Sequence, residues 1–310
     1  MSNIFGIVEI GSTNTKAYKY EKGTLINLGF KTIEFKKNYI VDSCITLSDI
    51  TLLSQFINSV FDANTKIYVY ATSVFRDLSL HEIATFETEL RSNSPIESFN
   101  VVSAKKENEY TVFGAINNIS LVEDICVFVG GGGSTEISIC RDGRIIEMVN
   151  SDVGVTDITK AFPDLSESYA TTGIDIVTRY ITERLCVPSN KAKYIVLAGG
   201  DFLLRYVNAK YPIAENTLFT SKNHPFTVSY LENNKFEDLY YHKISLDDLR
   251  KCTPDNPKWW NGTRAMCAFT NAVALAVGAE IIIPTKISMI YGIVANLLNR
   301  DNSKLSISFL

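Results

Sequence analysis

The chain lacks the cysteine arrangement of a disulfide-stabilised or zinc-binding protein. Its six cysteines are scattered, with no CxxC pair and no histidine close to them in the sequence. Such a distribution is typical of reduced, mostly buried thiols rather than of disulfides or metal ligands. The cysteines are Cys44, Cys126, Cys140, Cys186, Cys252 and Cys267.

The chain also lacks a strong charge excess and a long apolar run. A formal net charge of -4 and a pI near 5.5 give no global attraction to nucleic acid or acidic lipid. The N-terminal MSNIFGIVEIGS has neither the basic flank nor the apolar run of a signal peptide. The apolar segment 269–283 contains Asn271 and Glu280 and is too short to span a bilayer. We therefore expect a cytoplasmic protein with no nucleic-acid or membrane partner.

A three-stranded meander occurs twice in the sequence, which is typical of a duplicated domain. Alternating runs joined by a Lys22-Gly23 turn form the first copy, and similar runs joined by an Asp142-Gly143 turn form the second. The runs are residues 4–9, 15–20 and 24–30, then 125–129, 136–140 and 144–149. Each meander is followed by helical and strand patterns, so we predict two α/β domains, residues 1–120 and 121–310. A single domain with an added second meander is the alternative.

Three features of the second half bear on its packing. The apolar segment 287–299 is expected to form a last helix that packs back on the first domain. Residues 213–241 are polar and aromatic, and we expect an irregular excursion there rather than a core element. The adjacent Trp259 and Trp260 suit either core packing or an interface, and packing is the preferred interpretation.

Glycine-rich turns between predicted strands indicate phosphate binding. The sequence VFVGGGGSTEISIC places Gly130 to Gly133 between two strands, and residues 11–13 form a weaker copy in the first half. Turns of small residues expose backbone N–H groups that bind phosphate oxygens, and nearby hydroxyl groups add donors. A tight turn with no ligand is the alternative, and it is strongest for the first copy. The candidate phosphate-binding residues in these turns are Gly11, Ser12, Thr13, Gly131, Gly132, Gly133, Ser134 and Thr135.

Five short motifs, in order, resemble those of the Ppx/GppA family, the exopolyphosphatases and guanosine pentaphosphate phosphohydrolases. Family members carry a DIGSNS-like loop, ATSxxRDA, SGxEEA, DIGGGSTE and a later glycine-rich turn. The counterparts here are EIGSTN (9–14), ATSVFRD (71–77), SAKKEN (103–108), VGGGGSTE (129–136) and AGGD (198–201). The resemblance implies an actin-like ATPase fold. In that fold, two duplicated ribonuclease-H-like α/β domains with mixed sheets and flanking helices enclose a cleft.

The resemblance also implies roles for individual residues. It adds Gly199 and Gly200 of AGGD to the candidate phosphate-binding residues. Glu107 stands at the position of the family's general base, and Arg76 at that of a phosphate-contacting arginine. Glu9 and Glu136 stand at metal-site positions, which implies Mg²⁺ or Mn²⁺, and Glu136 also suits a water-orienting role. Taken alone, Glu107 equally suits a helix cap, and Arg76 an ion pair with Asp77 or another carboxylate.

Several positions depart from the family pattern. Val129 replaces the metal-binding aspartate that begins DIGGGSTE, and Glu9 replaces the aspartate of the first loop. Lys106 replaces a glutamate beside Glu107, and Asp157 replaces an arginine in a third loop. The loss of an oxygen ligand at position 129 predicts weaker metal binding. The acid at position 157 argues against long polyphosphate as the preferred substrate.

We therefore expect a metal-dependent hydrolase that releases terminal phosphate from polyphosphate or from guanosine penta- or tetraphosphate. The alternative is a catalytically impaired sensor of the same fold that binds a phosphate chain or a phosphorylated nucleotide. An ATP-dependent kinase or ATPase is a third interpretation that rests on fold analogy alone. The sequence leaves the oligomeric state open, with a homodimer among the alternatives.

Overall fold

The computed structural model describes residues 4–11, 14–117, 119–254 and 256–300, which form two compact units. The first unit comprises Met1–Glu109 with Val294–Leu310, and the second comprises Tyr110–Ile293. The sequence interpretation divides the chain near residue 120, whereas this division lies inside a helix. This helix, Ala104–Ile116, continues past Glu109 into the second unit, where its Gly114 packs against Gly292.

The first unit contains a five-stranded mixed sheet of order β3-β2-β1-β4-β5. Its elements are β1 (Phe5–Ile10), β2 (Asn14–Glu21), β3 (Thr24–Thr32), α1 (Phe35–Asp42), α2 (Leu47–Val60), β4 (Lys66–Ala71), α3 (Leu80–Asn93), β5 (Ile96–Val101) and α4 (Ala104–Ile116). Neighbouring strands of the meander are antiparallel, whereas β1, β4 and β5 are parallel. Capping boxes at Thr46 and Ser79 begin α2 and α3, as their Thr-x-x-Asp and Ser-x-x-Glu spacing favours.

The second unit contains a seven-stranded sheet of order β8-β7-β6-β9-β12-β11-β10. Its elements are β6 (Ile125–Gly130), β7 (Thr135–Arg141), β8 (Arg144–Ser151), α5 (Val155–Ala161), α6 (Ile174–Thr182), β9 (Tyr194–Ala198), α7 (Phe202–Asn208), β10 (Ala214–Glu215), β11 (Phe226–Ser229), α8 (Tyr230–His242), α9 (Leu246–Lys251), α10 (Thr263–Val277), β12 (Ile281–Pro284) and α11 (Met289–Arg300). From β8 to β12, neighbouring strands have the same parallel and antiparallel relations as the five strands of the first sheet. Strands β11 and β10 extend the second sheet. The expected fold class, two duplicated α/β halves with mixed sheets and flanking helices, is confirmed.

Both meanders turn through the same type of hairpin. Lys22 and Gly23 have φ of 51° and 83°, and Asp142 and Gly143 have φ of 49° and 72°. Two consecutive residues with positive φ define a type I′ turn, whose twist matches that of the flanking strands. The glycine at the second position meets this requirement without strain. The hairpins predicted from Lys-Gly and Asp-Gly are thus present.

The expectation of an irregular excursion over residues 213–241 is wrong for its second half. That half forms β11, which pairs with β12, and α8, which begins at the N-cap Ser229. Tyr240 and Tyr241 of α8 are fully buried in the core. Their rings pack in the interior, and the Tyr241 hydroxyl is satisfied by a hydrogen bond to the Arg264 carbonyl.

The core of the second unit forms around α10, nearly all of whose residues are buried. Trp260 is also fully buried there and donates from Nε1 to Thr253 Oγ1 at 2.9 Å, and Trp259 packs edge-on against its ring. The packing interpretation of the tryptophan pair is confirmed. None of the described helices is long and apolar enough to cross a membrane.

All six cysteines are free, as expected. Only half of them are buried, so the expectation of mostly buried thiols is only partly met. Cys126, Cys140 and Cys267 lie in the core, whereas Cys44, Cys186 and Cys252 are exposed.

Candidate functional site

The first glycine turn joins β1 to β2. The Gly11 amide donates to the Asn14 carbonyl at 3.0 Å, which closes the turn. Two of the predicted phosphate-binding residues in this turn, Ser12 and Thr13, lie outside the described residues. Immediately before the turn, Glu9 on β1 lies directly across from Lys16 on β2.

Glu9 carries a buried carboxylate oxygen. Among the described residues no group forms a hydrogen bond with its Oε2 atom, and the Lys16 ammonium lies 4.0 Å away. Burial raises the pKa of the Glu9 carboxyl above its usual value; Lys16 opposes the shift, and the Glu107 carboxylate adds to it. Glu9 and Glu107 are therefore close enough to interact electrostatically within the first unit.

Glu107 is held in an ion pair with Arg76. The Arg76 Nη2 atom donates to Glu107 Oε2, and its Nε atom donates to the Val102 carbonyl at 2.8 Å. Glu107 lies in the first turn of α4, where the helix dipole favours a carboxylate. Of the partners left open by the sequence, Arg76 thus takes a nearby carboxylate rather than Asp77. The neighbouring Lys106 pairs with Glu109 at 3.0 Å.

The second glycine loop joins β6 to β7 and closes in the same way as the first. The Gly131 amide donates to the Ser134 carbonyl at 2.9 Å. The Ser134 hydroxyl donates to Glu136 Oε1 at 2.7 Å, which orients that carboxylate beside the loop. Thr135 is fully buried, and its hydroxyl donates to the Val153 carbonyl at 2.8 Å. In this structure the Thr135 hydroxyl stabilises the fold rather than facing a ligand.

The start of α5 holds the carbonyl groups of the glycine loop. The Val155 amide donates to the Gly131 carbonyl at 3.1 Å, and the Thr156 amide donates to the Gly132 carbonyl at 2.8 Å. A trans peptide unit is planar, with its C=O and N–H groups on opposite sides. The N–H groups of Gly132 and Gly133 therefore point away from α5. In the described part of the chain, neither donates a backbone hydrogen bond.

Gly199 and Val129 contact each other where the neighbouring strands β9 and β6 end. Strands β6 and β9 are parallel, so the chain beyond Ala198 runs beside the glycine loop. Gly199 has a φ of 85° and donates its amide to the Ile287 carbonyl at 2.8 Å. A Cβ atom at this position would lie 2.5 Å from Val129 Cγ1, so the valine packs onto the glycine. Gly199 is required both by its φ and by this approach.

Gly200 begins the turn into α7. A Cβ atom there would meet only the Phe202 ring, at 3.8 Å. The next residue, Asp201, accepts a hydrogen bond from the Leu204 amide at 2.8 Å and so caps α7. A side chain at Gly200 would thus meet no close contact, in contrast to one at Gly199.

The two hairpins carry their acids on opposite strands. Their turns close through equivalent hydrogen bonds, so Glu9 corresponds to Val129 and Lys16 to Glu136. In the first hairpin the acid precedes the turn and faces a lysine across the strands. In the second hairpin the acid follows the turn and faces a valine.

The structure thus groups the predicted residues within each unit. Glu9, Glu107 and Arg76 interact in the first, and the glycine loop lies beside Glu136 and the Gly199 turn in the second. Among the described residues, no cluster of three or more histidine, cysteine, aspartate or glutamate side chains could hold a metal ion. Gly154, Val155 and Thr156 contact the glycine loop but are not among the residues predicted from the sequence, although the third loop, VGVTDIT (153–159), indicated the region.

The repeated strand order and matching glycine turns define a duplicated mixed-sheet α/β protein. The chain belongs to the Ppx/GppA phosphatase family, whose family model matches residues 32–237. This match spans more than half of the chain and agrees with the resemblance carried by the five motifs. No curated protein is recognisably similar to the chain in sequence.

Several solved structures share the fold at low sequence identity. An Aquifex aeolicus member of the Ppx/GppA family is 13% identical, with 97% of this chain and 100% of that chain covered and a TM-score of 0.70. A type II variant of the Aquifex aeolicus Ppx/GppA phosphatase is 13% identical, with 94% and 98% covered and a TM-score of 0.70. An exopolyphosphatase from Cytophaga hutchinsonii is 14% identical, with 96% and 98% covered and a TM-score of 0.67.

Proposed function

We propose that the chain is a phosphoanhydride hydrolase that releases terminal phosphate from short polyphosphate or from guanosine penta- or tetraphosphate. The observation that carries the proposal is the pair of outward-facing amides at Gly132 and Gly133. Successive N–H groups pointing to one side form an anion-binding nest, and the absence of Cβ atoms lets a phosphate oxygen approach. Family membership supports phosphatase chemistry at such a loop.

A divalent cation, Mg²⁺ or Mn²⁺, fits the donor set in part. The buried Glu9 Oε2 atom forms no hydrogen bond with any described residue, as expected for an oxygen that binds a cation. The family resemblance assigns metal binding to Glu9 and Glu136, and hard oxygen donors suit Mg²⁺, which often needs only one or two protein carboxylates. When bound, the cation would neutralise phosphate charge during hydrolysis.

Glu107 and Arg76 supply the remaining chemistry in the proposal. Glu107 would accept a proton from the attacking water, and Arg76 would contact the transferred phosphoryl group. The existing ion pair orients Glu107 and keeps the guanidinium beside it. A guanidinium fork has five N–H donors, so Arg76 can hold the carboxylate and still donate to a phosphate oxygen.

The catalytic proposal is tested by phosphate release from tripolyphosphate and guanosine pentaphosphate in the presence of Mg²⁺ or Mn²⁺. We expect Glu107→Gln to lower kcat by about 10²–10⁴-fold because it removes the base. Glu109→Gln is the matched control, since it changes an acid on the same helix that pairs with Lys106. Release that is equal in the wild type and in Glu107→Gln would contradict hydrolysis by this site.

Binding by the glycine loop is tested separately with Gly133→Ala. A Cβ atom at Gly133 would meet no atom within 4 Å, and its φ is not positive, so the fold should tolerate alanine. The added methyl group would instead obstruct an anion at the nest. We expect tripolyphosphate affinity to fall by about tenfold or more in calorimetry, with an unchanged unfolding temperature. Unchanged affinity would argue against the nest.

A second candidate function is a non-catalytic sensor of a phosphorylated nucleotide or polyphosphate. Val129 favours it, because an apolar side chain packed on Gly199 stands where the family motif has an acid. The two assays separate these functions. Binding that Gly133→Ala weakens, without phosphate release above the Glu107→Gln level, would identify the sensor.

A further inference from the structure

We infer that Asp157 is a positioning residue that sets the direction of the glycine-loop amides. Its Oδ2 atom accepts a hydrogen bond from the Gly154 amide at 3.0 Å. In return, the Asp157 amide donates to the Gly154 carbonyl at 3.0 Å. These two bonds fix the first turn of α5, which then contacts the loop. The ligand part of this inference rests on the proposed function, whereas the structural part does not.

Gly154 transmits this constraint by direct contact. A Cβ atom on Gly154 would lie 2.5 Å from the carbonyl carbon and oxygen of Gly132 and from the nitrogen of Gly133. The backbone at Gly154 therefore packs directly against the peptide that joins the two loop residues. Any shift of Gly154 would move this peptide or open a gap beneath it.

The next two residues complete the connection. With Gly154 held by Asp157, the Val155 and Thr156 amides are aimed at the carbonyls of Gly131 and Gly132. Because each peptide is planar, fixing these carbonyls fixes the opposite direction of the following N–H groups. Asp157 thus controls the nest through one side-chain and three backbone hydrogen bonds and without touching the ligand.

Four consecutive glycines make such a support necessary. Glycine loses more conformational freedom on ordering than any other residue, so an unsupported loop would sample many orientations of its amides. A loop ordered before binding avoids that cost when the ligand arrives. The charge of Asp157 by itself is unfavourable beside a polyanion, yet its hydrogen bond to the Gly154 amide favours anion binding through the backbone. Its charge also lies at the start of α5, where the helix dipole stabilises it.

Three variants test the inference, with tripolyphosphate affinity and amide hydrogen exchange as readouts. Asp157→Ala removes the acceptor for the Gly154 amide, whereas Asp157→Asn keeps an oxygen that can accept the same bond. Ser229→Ala is the matched control, because it removes an N-cap of α8 in the same unit. We expect Asp157→Ala to weaken binding about tenfold and to speed exchange at Val155 and Thr156. Asp157→Asn should stay within about threefold of the wild type.

Three outcomes would overturn the inference. Binding by Asp157→Ala as tight as that of the wild type, or tighter, would mean that the carboxylate only repels phosphate. Equal weakening by Ser229→Ala would mean that the effect is general loss of stability. Equal weakening by Asp157→Asn would assign the effect to charge rather than to the hydrogen bond.

Failure of the proposed function would be distinguishable from failure of this inference. If the wild type binds no tripolyphosphate, the proposed function fails. Exchange at the Val155 and Thr156 amides in the ligand-free protein then still tests Asp157. Unchanged exchange in Asp157→Ala would overturn the positioning role by itself.

Discussion

At the scale of single residues, the second unit buries an acid in its core. Glu237 on α8 is 1% exposed, and no described residue forms a hydrogen bond with its Oε2 atom. Burial raises the pKa of Glu237 to about 8, while Asn233, Arg205, Cys267 and Asn271 oppose the shift. The carboxyl is therefore protonated at neutral pH, which lowers the cost of keeping it in an apolar interior.

We predict that raising the pH from about 5 to about 8 destabilises the wild type relative to Glu237→Gln. In the unfolded chain Glu237 ionises near its ordinary pKa of 4.5, whereas the folded protein holds the proton up to a pKa of about 8. Between these values ionisation favours the unfolded state, by at most about 1.4 kcal/mol per pH unit. The stabilisation is fully present below pH 4.5 and is lost as the pH rises through the folded pKa.

Urea unfolding of the wild type and Glu237→Gln at several pH values measures this difference. Glu183→Gln is the control, because it makes the same substitution at an exposed glutamate of the same unit. A free-energy difference between the wild type and Glu237→Gln that stays constant from about pH 5 to about pH 8 would show that Glu237 is ionised in the fold.

At the scale of elements, helices α4 and α11 pack closely through glycines that lie in the second unit. Gly292 of α11 packs against the Tyr110 carbonyl of α4, and a Cβ atom on Gly114 would lie 2.8 Å from the Gly292 nitrogen. The two backbones can approach this closely only because neither position carries a side chain. The chain passes between the two units inside these same helices, at residues 109–110 and 293–294.

We predict that Gly292→Ala destabilises the second unit by about 3 kcal/mol, although alanine has the higher helix propensity. The added methyl group would overlap the Tyr110 carbonyl, which belongs to a helix backbone and cannot move aside. Chemical unfolding followed by tryptophan fluorescence measures the loss, since Trp259 and Trp260 lie in this unit. Ser92→Ala, at an exposed helical position of α3, should change stability by less than about 0.5 kcal/mol.

The elements that the sequence predicts well are those specified by local chemistry. Lys22-Gly23 and Asp142-Gly143 fix hairpin turns by themselves, and the strands beside them alternate clearly. Helix α8 was not predicted, because its segment is rich in polar and tyrosine residues. In the structure Tyr240 and Tyr241 are core residues. Only long-range packing, with α10 and with the Arg264 carbonyl, decides that they are buried.

The parts of the candidate site that could be predicted from the sequence are likewise those that local chemistry specifies. The glycine loop could be recognised from its composition, because four glycines before Ser-Thr-Glu suggest an exposed backbone. The direction of its amides could not be predicted, since it depends on hydrogen bonds from the Val155 and Thr156 amides to the loop carbonyls, which join residues distant in sequence. The Arg76–Glu107 pair likewise joins residues from different elements, and sequence alone left several partners open.

At the scale of the whole molecule, duplication has produced two similar hairpins with different chemistry. The first hairpin places Glu9 opposite Lys16, and the second places Val129 opposite Glu136. At these paired positions each hairpin therefore has one acid, although on opposite strands. The loop of the second hairpin carries four glycines, and the following helix α5 holds its carbonyl groups. Anion binding should accordingly depend on the second unit.

We therefore predict that tripolyphosphate raises the unfolding temperature of the second unit, and that ATP does so less. A ligand that binds only the folded state stabilises it by RT ln(1 + [L]/Kd), or about 2.7 kcal/mol at a hundredfold excess over Kd. For a unit of this size the shift should be about 5 °C or more. Differential scanning calorimetry with each ligand at matched ionic strength measures it. An affinity about tenfold lower in Gly133→Ala should reduce the shift to about half or less. An equal or larger shift with ATP would instead favour a nucleotide-dependent kinase or ATPase.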